Sequence, residues 1–271
     1  TRILENTGFS HNEALDLYGQ LSGKYVTLTT LPVSISTALA TAALPSIAAS
    51  VKLRDLKQVR RKMNLTFRIS MIISVPAAVG IGVLGEPIIH LLFPKAMAGG
   101  ALLTVGAISI LFLALCQTAT GILQGIGHIK VPVIGAILGA IVKVILNYLL
   151  IGIPELNVLG AVLSTTGCYL VAAVFDVIML SRISGIKFDM MGTLLKPVAG
   201  ATAMGVTALA VYHVIIMAYP SNALATIVAI LFAMGIYGMV MLLIGGITEE
   251  DLMSLPMGKK IVGSLRRLRL V

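Results

Sequence analysis

Lys143 stands in the apolar run AIVKVILNYLLI, and Asn147 follows it by one helical turn on the same face. An ammonium at mid-membrane costs at least ~2.5–3.5 kcal/mol on insertion scales, so such a residue normally faces the interior of a helix bundle. Beside the Asn147 amide it could recognise a phosphate or an ion. The alternative is a polar link between helices, with the ammonium satisfied by carbonyls or hydroxyls. A second polar feature lies near the N-terminus. Thr27, Thr30, Ser34, Thr37 and Thr41 recur at spacings of three and four, which puts all five on one stripe of a helix. Facing lipid, the stripe would gain nothing from its hydroxyls; facing a water-filled cavity or a polar substrate, it would. Otherwise the hydroxyls bond back to their own helix or pack against a neighbour. Lys24 lies one turn before Thr27, placed either to hold an anionic group at a cavity mouth or to snorkel to the interface.

The remaining polar residues are weaker candidates. Gln117 and Gln124 are seven apart and share a face, suited to a cavity. Ser164, Thr165 and Thr166 follow a short connection after Asn147, so a hairpin could bring them beside it as oxygen ligands for Na⁺, although neutral oxygens alone bind that ion weakly. Glu86 and His90, at i and i+4, could form a proton-responsive pair or a structural one. Asp176 is within reach of Arg182 or Lys196 as a structural partner, and His213 reads as interfacial. Cys116 and Cys168 sit in apolar stretches without CxxC spacing, which reads as small buried residues rather than a metal site. The sequence holds no GxSxG, HExxH, P-loop or paired carboxylates. A chain that is not an enzyme and carries no cofactor is therefore expected.

The elements that must position these groups are membrane helices. The 271 residues are 58% hydrophobic and 11% charged, with mean hydropathy +1.01, whereas a soluble domain carries about 25% charge. Seven apolar stretches, roughly 21–49, 67–93, 101–124, 131–153, 157–181, 193–217 and 222–247, approach or exceed the ~20 residues that cross a bilayer as a helix. Lys and Arg concentrate in alternate gaps. The 50–68 gap holds Lys52, Arg54, Lys57, Arg60, Arg61, Lys62 and Arg68; the tail holds Lys259, Lys260, Arg266, Arg267 and Arg269. By the positive-inside rule these segments are cytoplasmic and the N-terminal segment is outside. The net charge of +9 is then read as a topology signal and an attraction to anionic lipids rather than to nucleic acid. LRDLKQVRRKMNLTFR and KKIVGSLRRLRLV read as amphipathic interfacial helices, the second equally as a solvated linker. Pro32, Pro45, Pro76 and Pro87 interrupt the first two stretches, and Gly135-xxx-Gly139 permits close helix contact in the fourth.

LPVSISTALATAALPSIAAS followed by a basic loop resembles the start of the C-terminal lobe of SpoVB-type polysaccharide flippases, in the superfamily that includes the lipid II flippase MurJ and the MATE exporters. ILQGIGHIKVP is similar to that family's Gln…Leu-x-Gly-x-Gly…Pro turn, and KVILNYLLIGIPELNVLGAVLSTTGCY to its Lys-x-x-Leu-Asn hairpin. The resemblance covers essentially the whole chain, and motif order and spacing carry more of it than any single motif. It implies fourteen helices in two lobes of six plus a C-terminal pair, with these seven spans as the eighth to the fourteenth. Thr27 stands where MurJ-like members have an arginine, with Lys24 the nearest basic residue. Asn147 matches the asparagine of a Na⁺ site found in some members, and Ile151 stands where that site has an aspartate.

The expected fold is an all-α polytopic bundle. Residues 1–20 are read as the outer end of a preceding helix and a loop, 21–181 as a transport lobe of five spans, 182–247 as an extra helix pair, and 248–271 as a basic cytoplasmic tail. The expected function is a flippase of the cytoplasmic membrane, moving lipid-linked oligosaccharide or peptidoglycan precursor by alternating access. The expected partners are a polyprenyl-pyrophosphate-linked sugar, anionic lipids and an N-terminal lobe of the same protein. Lys24 and Lys143 would neutralise pyrophosphate, the stripe of Thr27, Thr30, Ser34, Thr37 and Thr41 would bind sugar, and Gln117 and Asn147 complete the expected substrate-binding set. Two other readings stay open: a cation-coupled exporter of organic cations, and a membrane scaffold for cell-wall or spore assembly.

Overall fold

The structure, a computed structural model, describes residues 4–5, 8–153, 156–185 and 191–246, apart from the side chains of Leu39 and Met191. Glu155, Lys187 and the basic tail lie outside the described residues. Among the described residues the chain forms helices joined by short turns, and seven helical runs are long and apolar enough to cross a membrane: His11–Lys52, Leu56–Leu92, Ile108–Gly125, Lys130–Ile151, Asn157–Ser184, Gly192–Ala218 and Asn222–Leu243.

The first run starts ten residues earlier than the apolar stretch suggests. Ser10 and Glu13 close a capping box, each side chain meeting the other's backbone N–H, which satisfies two N–H groups that the first turn leaves free. Helix α1 (His11–Gly19) passes through a wider π-helical segment, Gln20–Val26, into α2 (Thr27–Lys52) without a break. The second run corrects the expectation of a separate interfacial helix. Asp55 caps α3 (Leu56–Leu92) by accepting from Gln58 N–H at 3.0 Å, so the basic segment is the first third of one 37-residue helix. Val59, Met63 and Phe67, one turn apart, are buried with Ile47, Ile122, Leu123 and Leu180, so this segment packs into the bundle; Lys57, Arg60 and Arg61 are exposed, whereas Lys62 and Arg68 are half-buried. The helix is kinked at Leu84, where φ −106° and ψ 19° leave the helical region; at about 1.5 Å per residue the part before the kink alone spans about 42 Å, beyond a ~30 Å hydrocarbon core.

The third apolar stretch is split at Ala107 into α4 (Gly100–Gly106) and α5 (Ile108–Gly125). The Tyr25 ring fills the space beside Gly106, where a β-carbon would lie 2.2 Å from Cε2, and the Tyr25 hydroxyl pairs with Ser109 Oγ at 2.8 Å. Helix α5 is the centre of the bundle and packs on α2, α3 and α7 (Asn157–Ser184); α6 (Lys130–Ile151) folds back on α7; α8 (Lys196–Ala218) and α9 (Asn222–Leu243) pair with each other and dock on α3. The α6–α7 seam is closed by glycine. A β-carbon at Gly139 would lie 2.7 Å from the Cys168 carbonyl oxygen, and one at Gly160 would lie 2.7 Å from that of Leu150.

Three apolar clusters stack along the bundle. Tyr25, Ile89, Leu103, Val158 and Val162 form one end, Val33, Met71, Val75, Ile110 and Met204 the middle, and Ile47, Met63, Ile122 and Leu180 the other end. This second end gathers the basic residues and uses several of them to close helix termini. Lys62 donates to Ser46 O at 3.0 Å and Ser50 Oγ at 2.8 Å, Arg60 to Gly185 O at 3.1 Å, and Lys196 to Gly245 O at 2.9 Å. Gly185 and Gly245 follow α7 and α9 at φ of 61° and 60°, left-handed positions that favour glycine after a helix. A cation is well placed there because helix C-termini leave carbonyls unpaired and carry partial negative charge.

Candidate functional site

The hydroxyl stripe borders a groove. Thr30, Ser34, Thr37 and Thr41 line a cavity of about 410 Å³ with Val33, Ala38, Leu113 and Gln117. The stripe also bonds back to its own helix. Thr30 Oγ1 donates to Val26 O at 2.8 Å, Ser34 Oγ to Thr30 O at 2.9 Å, Thr37 Oγ1 to Val33 O at 2.9 Å and Thr41 Oγ1 to Ala38 O at 2.9 Å. The two readings of the stripe are therefore compatible. A hydroxyl has one proton and two acceptor lone pairs; with each proton held by a helix carbonyl, the groove presents acceptors, joined by the Gln117 amide. Thr27 is exposed on the same helix but does not line the groove, and Gln124 is exposed further along α5.

Lys143 lies in a different, larger cavity of about 690 Å³. Helix α6 contributes Lys143, Asn147 and Ile151, α7 contributes Ala161, Thr165 and Tyr169, and the first helical run contributes Tyr18, Ser22 and Val26. No hydrogen bond or ion pair among the described residues engages the Lys143 ammonium, and the buried Asn147 Oδ1 has no partner. The cavity thus holds an uncommitted cation and an uncommitted amide oxygen among largely apolar walls, as small-molecule sites typically do. Of the three hydroxyls proposed as Na⁺ ligands only Thr165 lines it. Ser164, Thr165 and Thr166 all donate within their own helix, to Gly160 O, Ala161 O and Val162 O at 2.6, 2.8 and 2.9 Å, and Ser164 is buried away from the cavity. The Lys143 charge in the same space opposes a bound cation.

Lys24 joins neither space. Its ammonium donates to Ala96 O at 2.5 Å and Ala98 O at 2.8 Å and lies 5.4 Å from the centre of the Phe93 ring. It ties the turn after α3 to the first helical run. Asp176 pairs with neither Arg182 nor Lys196; its Oδ2 accepts from Thr120 Oγ1 at 3.0 Å. Glu86 and His90 form no hydrogen bond with each other, and Glu86 packs against Gly100.

Tyr18, Ser22 and Tyr169 are site residues that the sequence reading did not select. The signal for the first two was present: 18, 22 and 26 continue the 30, 34, 37, 41 stripe backwards at helical spacing. The two cavities therefore lie along one face of one helical run, with Lys143 and Asn147 opposite its first part and Gln117 opposite its second.

A family model described as "Lipid II flippase MurJ" matches residues 24–233. The chain is similar to three proteins of Bacillus subtilis (strain 168). It is 28% identical over 275 residues to "Uncharacterized membrane protein YabM", covering 94% of this chain and 51% of that protein. It is 26% identical over 254 residues to "Lipid II flippase MurJ", covering 89% of this chain and 45% of that protein. It is 26% identical over 155 residues to "Stage V sporulation protein B", covering 57% and 30%. The chain spans about half the length of the curated relatives it matches most fully.

Proposed function

This chain belongs to the lipid II flippase MurJ family, and from that premise we propose that it forms one wall of a flippase for a lipid-linked oligosaccharide or peptidoglycan precursor. The observation that carries this reading is the Lys143 cavity: a membrane-embedded ammonium with no partner among the described residues, next to an orphaned amide oxygen. Burying an unpaired charge is costly, and an anionic ligand offsets that cost. The anion of such a precursor is a pyrophosphate, which Lys143 meets as a point charge while the Asn147 amide pairs with a neighbouring donor. The acceptor-lined groove along α2 takes sugar hydroxyls, which arrive as donors. The polyprenyl tail stays in lipid.

In this reading the basic end of the bundle faces the cytoplasm, and a segment equivalent to the half of the longer relatives that this chain does not span supplies the opposite wall for alternating access. The MATE-like alternative, export of an organic cation, favours a carboxylate in the cavity, whereas the charged residue lining it here is Lys143. The reading is tested by Lys143→Ala in the intact protein. The expected result is loss of complementation and accumulation of the lipid-linked precursor, with Lys143→Arg partly active. Unchanged complementation by a normally expressed Lys143→Ala variant would overturn it.

A further inference from the structure

Asp176 on α7 is 1% exposed and lies inside a membrane-spanning helix. Its Oδ2 accepts from Thr120 Oγ1 at 3.0 Å, with Cys116 Sγ at 4.0 Å, while its Oδ1 has no partner. Gly135 on α6 leaves the space for that oxygen: a β-carbon there would stand 2.5 Å from Oδ1 and 3.3 Å from Cγ. Three helices thus close around one carboxyl group, α5 with a hydroxyl and a thiol, α6 with a glycine, and α7 with the aspartate itself.

Among the described residues no cation forms an ion pair with this group. From α5 the titratable neighbour is Cys116. On α6, Lys130 lies five residues before Gly135 and Lys143 eight after it, the latter within electrostatic reach of Cys168. On α7 itself, Cys168 is eight residues before Asp176 and Arg182 six after it. None of these forms an ion pair with Asp176. An ionised carboxylate can accept at about four lone-pair sites, and taking it out of water without a counter-charge costs several kcal/mol. A buried polar atom without a partner in a native fold calls for an explanation, such as an ordered water, an ion or a functional role. A metal cation would require several oxygens, and Thr120 brings one hydroxyl, already donating. A proton requires only the carboxyl oxygen.

We propose that Asp176 is a proton-binding site at the α5–α6–α7 junction, occupied while α6 is packed on α7 and emptied when that seam opens to water. The proton enters from water onto a carboxyl oxygen and returns to water, and no other bond changes. At the level of Asp176, Gly135 and Gly139 bring the α6 backbone close against α7, and further along the seam the Leu146 side chain of α6 packs against Gly167, so opening the seam at the carboxyl requires α6 to move away from α7 as a body. The link between this proton and transport rests on the flippase reading; the site itself does not.

The test uses the intact protein in liposomes and two readouts. Infrared difference spectra between low and high pH should contain a carboxylic-acid C=O band that is lost in Asp176→Asn, an isosteric and permanently neutral replacement. Gly135→Ala, which crowds Oδ1 without removing the carboxyl, should shift the same band. A wild-type difference spectrum without such a band, or a band that Asp176→Asn leaves in place, overturns the proposal. Transport is the second readout: its rate should vary with pH in the wild type and lose at least half of that dependence in Asp176→Asn. An unchanged pH profile in that variant overturns the cycling of the proton. Absence of transport of the precursor by the wild type would instead count against the flippase reading, and the infrared result would still decide the site.

Discussion

Lys24 and Lys143 are the same residue type on polar faces of membrane helices, yet the fold gives them opposite tasks. Lys24 spends its ammonium on two carbonyls of the turn after α3, and Lys143 keeps its own free in a cavity. The sequence showed both as charges in apolar surroundings, but not which would be consumed, because that depends on a loop seventy residues away from Lys24 in the chain. The hydroxyl stripe was more legible, since helical spacing alone put it on one face. What spacing could not show is where each hydroxyl proton goes. Because a Ser or Thr hydroxyl bonded back to its own helix does not stabilise that helix, removal of the Ser34 and Thr37 hydroxyls should leave stability nearly unchanged and weaken substrate capture. Each lost hydrogen bond is worth about 0.5–1.5 kcal/mol, so Ser34→Ala with Thr37→Val should raise KM by roughly tenfold. An unfolding temperature unchanged with KM unchanged would show that the groove does not contact substrate.

At the scale of elements, proline explains how α9 is held. Pro76 has no N–H, so the Ile72 carbonyl four residues earlier loses its helical partner. Tyr237 on α9 donates its hydroxyl to that carbonyl at 2.9 Å, and Gly200 on α8 makes room for the ring, which would lie 3.2 Å from a β-carbon there. Asn222, at the start of α9, donates to Pro87 O at 3.1 Å and accepts from Tyr212 at 3.0 Å. The helix pair is thus pinned to α3 at both of its internal prolines. Tyr237→Phe should destabilise the protein by about 1 kcal/mol. In a Pro76→Ala background, where residue 76 regains its N–H, the same substitution should cost less than half as much. Equal costs in the two backgrounds, measured by chemical unfolding as a double-mutant cycle, would contradict this account. The elements themselves were largely legible from apolar length. Two misreadings have physical causes. The basic segment before Phe67 was separated from α3 because composition changes there, although Val59, Met63 and Phe67 keep one helical face. The break at Ala107 was not legible because Ala107 keeps helical dihedrals, φ −56° and ψ −32°, and the Tyr25 ring that packs beside Gly106 is far away in sequence.

For the whole molecule, the charge pattern carries most of the information. The helix bundle gathers Lys52, Arg60, Lys62, Lys130, Arg182 and Lys196 at one end, as alternate gaps in the sequence implied. If that end is cytoplasmic, an impermeant thiol reagent on intact cells should label Met97→Cys and spare Leu53→Cys, both at exposed loop positions. The reverse labelling would invert the topology. The division of the polar face into a cavity lined by Lys143 and a groove lined by hydroxyls was not legible, because it depends on which side chains of α5, α6 and α7 meet the first run. The central claim is that Lys143 receives the anionic part of a lipid-linked precursor during its passage across the membrane. The direct measurement is movement of such a precursor in liposomes containing the intact protein, comparing wild type, Lys143→Arg and Lys143→Ala at equal reconstitution. The account predicts transport in the first, a reduced rate in the second, and a loss of at least tenfold in the third, as expected for removal of a charged hydrogen bond worth about 1.5–3 kcal/mol. Equal rates for wild type and Lys143→Ala would contradict it.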